Sequence, residues 1–265
     1  MHKSISVRRL PLSFDAEGMA RDLAAIPDDA WVTHFNTFYH DGGWSGVALR
    51  ATGGEPGQLY PGHGDRTAYR GTPLLAQCPH IAALLNELDC PVGPVRLLRL
   101  SAGGVIREHR DEGLCLEQGL ARLHVPISTG DGVEFYLDRD LVTMVPGECW
   151  YLNFDLPHRV QNLGTTDRVH LVIDCEANDW LRALIAGGIG SVPSVRDSSS
   201  ARFARFREIV MDNPALIARL WPIEQPGAFI DRVVALGQEH GFRFTPEDVA
   251  AAMREGGRIG LRLVG

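Results

Sequence analysis

The chain is almost without lysine, and it has no run of basic residues. Lys3 is the single lysine among 26 lysines and arginines, and the formal net charge of the 265 residues is -7. An acidic chain without a basic block argues against a nucleic-acid partner or an anionic membrane surface. Carboxylate binding must therefore fall to arginine, whose guanidinium group can hold a carboxylate through two parallel hydrogen bonds.

Paired cysteines and long apolar segments are also missing. The 5 cysteines form no CxxC pair and are odd in number, which argues against a zinc knuckle or a disulfide framework. The N-terminal residues MHKSISVRRLPLSFD lack the apolar core of a signal peptide. No apolar run approaches the roughly 20 residues of a transmembrane helix. We therefore expect no membrane partner and a location in the reducing cytoplasm.

Up to about residue 180, short apolar or alternating segments are separated by turn signals such as AGG, STGDG and VPGE. This pattern predicts a mainly β fold, a double-stranded β-helix (jelly roll, cupin-like) with flanking helices. The predicted strands are Ser4–Leu10, Trp44–Ala51, Val95–Leu100, Arg122–Ile127, Val133–Leu137, Leu141–Val145, Cys149–Asn153 and Arg168–Asp174. The predicted flanking helices are Asp15–Ala25 and His80–Leu88.

The composition changes after this predicted β domain, which we place at residues 1–185. Residues 186–200, AGGIGSVPSVRDSSS, are rich in Gly, Ser and Pro and predict a linker. Residues 201–265 predict a small helical domain whose helices begin at Asn- or Thr-Pro signals and end near Gly241 and Gly256. The predicted helices are Phe203–Val210, Pro214–Leu220, Ala228–His240 and Pro246–Arg254.

Two candidate metal ligands lie two residues apart in VIREHRDEG, residues 105–113. If this segment is an extended strand, the side chains of His109 and Asp111 share a face. His158, in FDLPHRVQN just before another predicted strand, is the best candidate for a third ligand. Two histidines and one carboxylate would leave one face of an octahedral Fe(II) ion open for an organic co-substrate and O2.

A His-x-Asp pair alone is weak evidence, and other interpretations stay open. His109 and Asp111 could be an exposed loop pair. A second pair, His63 and Asp65, lies in the Gly- and Pro-rich YPGHGDRTA, where a surface loop is the better explanation. The His-Arg-Asp sequence also occurs in kinase catalytic loops, but no Gly-rich loop, strand lysine or DFG accompanies it here.

Arginine and histidine alternate with apolar residues on two predicted strands. In TTDRVHLVID, Arg168 and His170 share a face, and in ARLHVPI, Arg122 and His124 do. A buried arginine needs a fixed anionic partner, and a dicarboxylate that chelates iron through its other end would supply one. The alternatives are a surface salt bridge for Arg168 and a hydrogen-bonded core histidine for His124.

Candidate substrate residues are less clearly marked. Arg50 and Arg107, together with Arg122, could clamp a carboxylate. A polar-aromatic cluster before the second predicted strand could cover the site, or it could be an N-terminal packing patch. Its members are Trp31, His34, Asn36 and Tyr39, of which His34 and Asn36 are the candidate substrate ligands.

Three segments together carry a family resemblance: PVRLLRLSAGGVIREHRDEG, RLHVPISTGDGVEFYL and MVPGECWYLNFDLPHRVQNLGTTDRVHLVIDC. They span roughly residues 90–180 and are similar to the aspartyl/asparaginyl β-hydroxylase family of 2-oxoglutarate oxygenases, whose fold is the double-stranded β-helix. Bacterial proline hydroxylases are relatives of this group. The resemblance implies that His109 and His158 bind iron and that Arg168 binds the far carboxylate of 2-oxoglutarate. It also implies that His124 contacts the carboxylate beside the keto group, and that Arg122 helps to hold 2-oxoglutarate or an acidic substrate.

The sequence departs from the founding members of that family at one position. They lack the carboxylate of the iron triad, whereas this chain has Asp111 there. The resemblance therefore implies hydroxylation rather than halogenation, because related halogenases replace the carboxylate with a small residue. The same departure weakens any transfer of substrate preference from the founding members.

The C-terminal region has a resemblance of its own. FARFREIVMDNPALIARLWPIEQPGAFIDRVVALGQEHGFRFTPEDVAAAMREGG is similar to the nitrogen-fixation-associated leader-peptide domain of ribosomal natural-product precursors, through its DNPAL and GFRFTPEDV turns and its GG pair. This resemblance implies a tether or docking unit for a peptide substrate. The alternative is a helical appendage that packs on the barrel or forms a homodimer.

Together these features predict an Fe(II)- and 2-oxoglutarate-dependent dioxygenase that uses O2 to hydroxylate an amino-acid side chain, in a peptide or as a free amino acid. One alternative is a cupin-type metal dioxygenase or isomerase that works without 2-oxoglutarate and has no need of Arg168. The other is a non-catalytic barrel that serves as a binding module.

Overall fold

The computed structural model describes residues 4–60, 68–130, 132–187, 199–211, 213–223, 225–240, 242 and 244–256. The chain divides into two compact units, Met1–Asp138 with Val142–Val192, and Arg139–Leu141 with Pro193–Gly265. The second His-x-Asp pair, most of the predicted linker and Gly241 lie outside the described residues. Across the described parts of the chain, no helix combines the length and apolarity needed to cross a membrane.

The described residues form the following strands: β1 (Val7–Ser13), β2 (Val32–Thr33), β3 (Trp44–Thr52), β4 (Tyr69–Gly71), β5 (Val92–Leu100), β6 (Val105–His109), β7 (Leu120–Ser128), β8 (Val133–Leu137), β9 (Asp140–Leu141), β10 (Glu148–Leu152), β11 (His158–Asn162) and β12 (Arg168–Glu176). The helices are α1 (Ala16–Ala24), α2 (Pro79–Asn86), α3 (Asp179–Ala186), α4 (Ser199–Met211), α5 (Pro214–Leu220), α6 (Pro226–Glu239) and α7 (Pro246–Gly256).

The strands form two antiparallel sheets. The larger has the order β1-β10-β7-β12-β5-β3-β2, with β4 paired to β3, and the smaller has the order β6-β11-β8-β9. Strands that are distant in sequence are neighbours in both sheets, as expected for a jelly roll. The predicted mainly β fold with flanking helices is confirmed.

Helices α1, α2 and α3 cover one face of the large sheet. Asp15 caps α1 by accepting the backbone N–H of Gly18, and Asn178 caps α3 in the same way. Apolar residues of the helices and of alternate strand positions share one core: Met19, Ile81, Leu84, Leu181, Val47, Leu97, Leu123, Val125 and Leu171. The alternation of strand side chains sends the intervening residues to the opposite face.

That opposite face packs against the small sheet. Leu98, Leu100 and Val172 of the large sheet share a second core with Phe135 and Val160 of the small sheet. Polar side chains on this inner side therefore lie between the two sheets. Strands β6 and β11, which carry the candidate ligands His109 and His158, form one end of the small sheet's order.

The second unit contains the four C-terminal helices. Asn213 caps α5 by accepting the N–H of Ala215, and Pro214 begins the helix, as the sequence predicts. Phe206, Phe229 and Val233 are buried in a separate core together with Leu236. The similarity of this unit to a leader-peptide domain stays a prediction.

One predicted strand is wrong. Residues Leu141–Val145 were expected to be extended, but β9 contains only Asp140–Leu141. After Leu141 the chain continues without regular secondary structure to a turn at Pro146 and Gly147, where Gly147 has φ +84°. Val142 and Met144 are nevertheless buried in the core between the sheets, so the apolar pattern indicated burial rather than strand pairing.

Candidate metal centre and adjoining cavity

His109, Asp111 and His158 come together at one end of the small sheet. His109 and His158 are direct cross-strand partners in the pairing of β6 with β11, and their ring centroids lie 4.2 Å apart. One ligand atom from each of the three residues lies within 4.8 Å of the others. This spacing allows a single ion to bind all three side chains.

Asp111 reaches this position by a route that differs from the predicted one. The expectation was an extended strand through both residues, but β6 ends at His109. Asp111 lies in a turn, where its N–H donates to the Phe154 carbonyl at 2.9 Å and its carbonyl accepts the N–H of Leu114 at 3.1 Å. The hydrogen bond from this turn to the Phe154 carbonyl therefore places the Asp111 carboxylate beside the two imidazoles.

Both imidazoles are in the tautomer that leaves Nε2 available to bind a metal. His109 Nδ1 lies 2.8 Å from the Arg107 carbonyl oxygen, and His158 Nδ1 lies 3.0 Å from the Leu156 carbonyl oxygen. A carbonyl oxygen only accepts hydrogen bonds, so each Nδ1 carries the proton. The lone pair of each ring is then on Nε2, and the backbone bond fixes the orientation of the ring.

The charge states of the triad also suit a divalent cation. Burial, with the neighbouring His109, lowers the pKa of His158 to about 4, so its imidazole is neutral near pH 7. Burial alone would raise the pKa of Asp111, but Arg122 and the two histidines hold it below its usual value. Two imidazoles and one carboxylate form the donor set of non-heme Fe(II) sites.

A chain of buried charges continues from Asp111. Arg122 donates from Nη1 to Asp111, from Nε to Asp174 Oδ1 at 2.6 Å and from Nη2 to Asp174 Oδ2 at 2.9 Å. Arg96 donates to the same Asp174 carboxylate. Burial alone would raise the pKa of Asp174, but the two guanidinium groups lower it. Two cations and two anions thus compensate one another beside the metal ligands.

Arg168, His124 and His170 form a second buried cluster, and it has a different character. Arg168 is 2% exposed, and its Nη2 lies 2.7 Å from His170 Nδ1. Among the described residues no carboxylate forms an ion pair with Arg168, so the surface salt bridge considered from the sequence is absent there. Burial lowers the pKa of Arg168 to about 9. This cation is buried, and the described residues supply no fixed anion for it.

The two histidines of this cluster are neutral. Burial, followed by the charge of Arg168, lowers the pKa values of His124 and His170 well below the usual histidine value. Their Nδ1 atoms lie 3.2 Å apart, and both Nε2 atoms are buried without a hydrogen-bond partner in the described structure. His124 also stacks on Phe154, with ring centroids 5.0 Å apart. Unpartnered buried donors and acceptors of this kind are uncommon unless a ligand completes them.

A cavity of about 440 Å³ adjoins the triad on the side of the charge chain. Its wall includes two of the triad residues, both guanidinium groups and several aromatic rings. The polar and aromatic lining residues are His34, Phe35, Asn36, Trp44, Tyr60, Tyr69, Arg96, His109, Asp111, Glu112, Arg122, Asp174 and Glu176. A molecule bound in this chamber of small-molecule size would therefore lie beside His109 and Asp111.

His34 and Asn36, two of the predicted substrate residues, line this cavity. Arg50 and Arg107 do not. The Nε of Arg50 donates to the Val92 carbonyl at 3.1 Å, and Arg107 pairs with Asp41 on the protein surface. The structure therefore brings only part of the predicted substrate set to the cavity.

His34 itself is a rigid, neutral donor at the cavity wall. Its ring stacks on Trp44 with centroids 3.4 Å apart, and its Nδ1 accepts the Asn36 N–H at 3.3 Å. Burial, with the charge of Arg96, lowers its pKa to about 3. The proton of the neutral ring is therefore on Nε2. In the same region Tyr39 stacks on His109 at 4.5 Å.

Sequence reasoning missed Arg96, Asp174 and Trp44 as residues of the site. The alternation that places Arg168 and His170 on one face of their strand also places Asp174 on that face. Arg96 is a charged residue inside the apolar segment PVRLLRL, which signals a buried partner. Trp44 begins β3, and nothing in its local pattern indicates that its ring faces a cavity.

The sequence profile of a known family covers most of the β-rich unit. The profile described as aspartyl/asparaginyl beta-hydroxylase matches residues 17–178. The chain belongs to this family. The resemblance seen in the three sequence segments is thereby confirmed, and it extends well to the N-terminal side of residue 90.

A named bacterial protein is similar in sequence to this member of the aspartyl/asparaginyl β-hydroxylase family. A protein of Rhizobium meliloti (strain 1021), L-proline cis-4-hydroxylase, is 31% identical over 172 residues, which cover 63% of this chain and 59% of that protein. The match therefore spans less than two thirds of the relative's length.

Two solved structures also align with this family member. The crystal structure of an oxidoreductase of the 2OG-Fe(II) oxygenase family from Burkholderia pseudomallei has a TM-score of 0.41 and 15% identity, over 62% of this chain and 79% of that chain. A Pseudomonas putida prolyl-4-hydroxylase has a TM-score of 0.41 and 14% identity, over 65% of this chain and 93% of that chain.

Proposed function

We propose that the protein is an Fe(II)- and 2-oxoglutarate-dependent oxygenase that hydroxylates an amino-acid side chain. The observation that carries this proposal is the triad of His109, Asp111 and His158, whose ligand atoms lie within 4.8 Å of one another beside a cavity. Membership of the aspartyl/asparaginyl β-hydroxylase family supports it.

The triad residues fit Fe(II) in tautomer and in charge. Nε2 of His109, Nε2 of His158 and a carboxylate oxygen of Asp111 would hold the ion, because the Nδ1 atoms are engaged with backbone carbonyls. Three protein ligands leave coordination positions for a co-substrate and O2. Bound there, Fe(II) with 2-oxoglutarate would supply the oxidising chemistry that inserts oxygen into a C–H bond.

Arg168 would hold the far carboxylate of 2-oxoglutarate. A guanidinium group that is buried without an acidic partner in the described residues is stabilised by a ligand carboxylate. His124 lies beside it and would contact the other end of the co-substrate as a neutral imidazole. The role of Arg122 toward 2-oxoglutarate or an acidic substrate also stays a prediction.

The substrate would be an amino acid, free or within a peptide. The cavity has the size of a small molecule, and its wall combines aromatic rings with charged groups that can orient a zwitterion. A relative that is named L-proline cis-4-hydroxylase makes L-proline the first compound to test. His34 and Asn36 would contact it, whereas Arg50 and Arg107 would have to act from outside the cavity.

The remaining parts of the proposal concern the whole chain. We propose an oxygenase domain at residues 1–185, a linker at residues 186–200 and a helical domain at residues 201–265. The helical domain would dock a peptide substrate or form a homodimer. A cytoplasmic location, without a nucleic-acid or membrane partner, accords with the acidic charge of -7.

The test is aerobic turnover of 2-oxoglutarate to succinate by the full chain with Fe(II), against L-proline, the other amino acids and a peptide library. We expect iron-dependent succinate and a product that has gained one oxygen atom. Asp111→Ala should abolish both, while Asp167→Ala, which changes an exposed aspartate, should retain them. Equal behaviour of Asp111→Ala and the wild type would refute the proposal. Turnover that does not consume 2-oxoglutarate would instead indicate a cupin-type enzyme.

A further inference from the structure

Every nitrogen of the Arg122 guanidinium group donates to a carboxylate. Nε and Nη2 bind the two oxygens of Asp174, at 2.6 and 2.9 Å, and Nη1 binds Oδ2 of Asp111. The guanidinium group is planar and rigid, so binding one carboxylate with two nitrogens fixes the direction of the third. Arg122 thus joins Asp111 to Asp174 in one fixed geometry.

The far end of this connection is anchored in the middle of the large sheet. Asp174 on β12 and Arg122 on β7 are direct cross-strand partners. Arg96 on β5, the neighbour of β12 on the other side, also donates to Asp174. Three hydrogen-bonded strands therefore determine where the Nη1 of Arg122 points.

Asp111, by contrast, lies in the turn after β6 and outside any strand. Its backbone N–H is fixed by the Phe154 carbonyl, but the backbone does not fix the rotation of the carboxylate. Arg122 is the cation that holds the carboxylate, through Oδ2. One carboxylate oxygen of Asp111 lies within 4.8 Å of a ring nitrogen of each of His109 and His158.

We propose that Arg122 is a positioning residue for metal binding: it holds Asp111 so that Oδ1 binds the ion as a single ligand atom, and Asp174 holds Arg122 in turn. This inference rests on the proposed function in requiring a divalent metal at the triad. It differs from the role that the family resemblance implies for Arg122, because here three of its five N–H groups donate to side chains of this protein.

The experiment is a titration of the full-length, metal-free protein with Co(II), which has visible absorption bands that report its coordination. We expect Arg122→Gln to weaken Co(II) binding by about 10- to 100-fold, the usual effect of removing a partner of a metal ligand, and to change the absorption bands. Arg122→Lys keeps the charge and one donor, so it should restore part of the affinity. Once the protein is saturated with metal, its dissociation constant for 2-oxoglutarate should change by less than about 3-fold.

The matched control is Arg99→Gln on β5. Arg99 donates to Ser45 and lies over Trp31, and it does not line the cavity. If Arg122→Gln bound Co(II) as the wild type does but bound 2-oxoglutarate weakly, Arg122 would be a co-substrate ligand and the inference would be wrong. The proposed function would survive that result. Failure of the wild-type protein to bind any divalent metal would remove the proposed function and the inference together.

A second variant covers the possibility that Arg122→Gln does not fold. The double substitution Arg122→Gln with Asp174→Asn removes one cation and one anion, so the charge of the cluster stays balanced. If positioning is the role of Arg122, the folded double variant should still bind Co(II) weakly. Wild-type affinity in that variant would show that only charge balance matters, and it would overturn the inference.

Discussion

Two buried clusters share strand β12 and its neighbour β7, and they differ in how their charges are compensated. At one end of β12, Asp174 lies between Arg96 and Arg122, and Arg122 continues to Asp111. At the other end, Arg168 contacts a neutral histidine, and no described carboxylate pairs with it. Removal of two ionic groups from water is costly unless they bind each other closely. The first cluster is complete as it stands, whereas the second has no anion among the described residues.

The largest effect that follows from this comparison is expected at Asp174. Asp174→Ala would leave Arg96 and Arg122 buried and facing each other without an anion. Loss of one partner from a buried ion pair costs about 3–5 kcal/mol in the free energy of unfolding. Urea denaturation of the metal-free protein measures this change, with the exposed Asp167→Ala as the control. A change in the free energy of unfolding below about 1 kcal/mol would mean that Asp174 does not compensate the charges of Arg96 and Arg122.

Arg168 should behave in the opposite way. Arg168→Met removes a buried cation that has no acidic partner among the described residues, so the free energy of unfolding should stay unchanged or increase. The affinity for 2-oxoglutarate should fall by about 100-fold, which corresponds to about 2.7 kcal/mol, while Co(II) binding is retained. Calorimetric titration and urea denaturation test the two parts separately. A variant that is strongly destabilised, or one that binds 2-oxoglutarate normally, would contradict the difference between the clusters.

The neutral histidines beside Arg168 predict a dependence of stability on pH. Burial keeps the pKa values of His124 and His170 well below the usual value in the folded protein, while the unfolded chain takes up protons as the pH falls below about 6.5. The free energy of unfolding should therefore have its full value above pH 6.5. Below pH 6.5 it should decrease, by up to about 1.4 kcal/mol per pH unit for each histidine.

Thermal denaturation of the metal-free protein between pH 7.5 and 5 measures this dependence. His124→Phe should make the decrease less steep, because it removes one of the four described histidines whose pKa is lowered in the folded protein, the others being His34, His158 and His170. The exposed Arg182→Gln should leave the slope as it is in the wild type. An increase in melting temperature toward pH 5 would contradict the neutral state of the histidines.

The smallest effect is expected at an exposed ion pair. Arg107 pairs with Asp41, and both side chains are more than half exposed to solvent. Such pairs contribute about 0–1 kcal/mol, so Arg107→Ala should change the free energy of unfolding by less than about 1 kcal/mol. A double-mutant cycle with Asp41→Ala measures the interaction. A coupling free energy between Arg107 and Asp41 as large as the loss expected for Asp174→Ala would show that burial does not determine the strength of these ion pairs.

The sequence predicts strands well where the alternation is clean, because alternation reports a buried face directly. Val133–Leu137 is a strand with the predicted bounds, and Trp44 begins a strand as expected. The segment Leu141–Val145 has the same apolar character but lies mostly outside the sheets. A buried loop and a paired strand can have the same apolar pattern, so the pattern alone does not distinguish one from the other.

The candidate site was predictable in its ligands but not in its connections. The spacing of His109 and Asp111 predicts one continuous strand, but a turn brings the two side chains together. The link from Arg122 to Asp174 and Arg96 depends on the order β7-β12-β5 in the sheet. Residues so far apart in the chain become neighbours only through that order, and no local periodicity encodes it.

The direct pairing of His109 with His158 across β6 and β11 has a consequence for how this chain can change over time. The distance between the two imidazoles is set by the hydrogen-bond ladder of adjacent strands, and not by the length of the chain that connects them. Segments between the two strands, such as the hairpin after β8, could therefore gain or lose residues while the ligand spacing is preserved. In this fold, the surrounding loops can therefore diverge during evolution without changing the spacing of the two histidines.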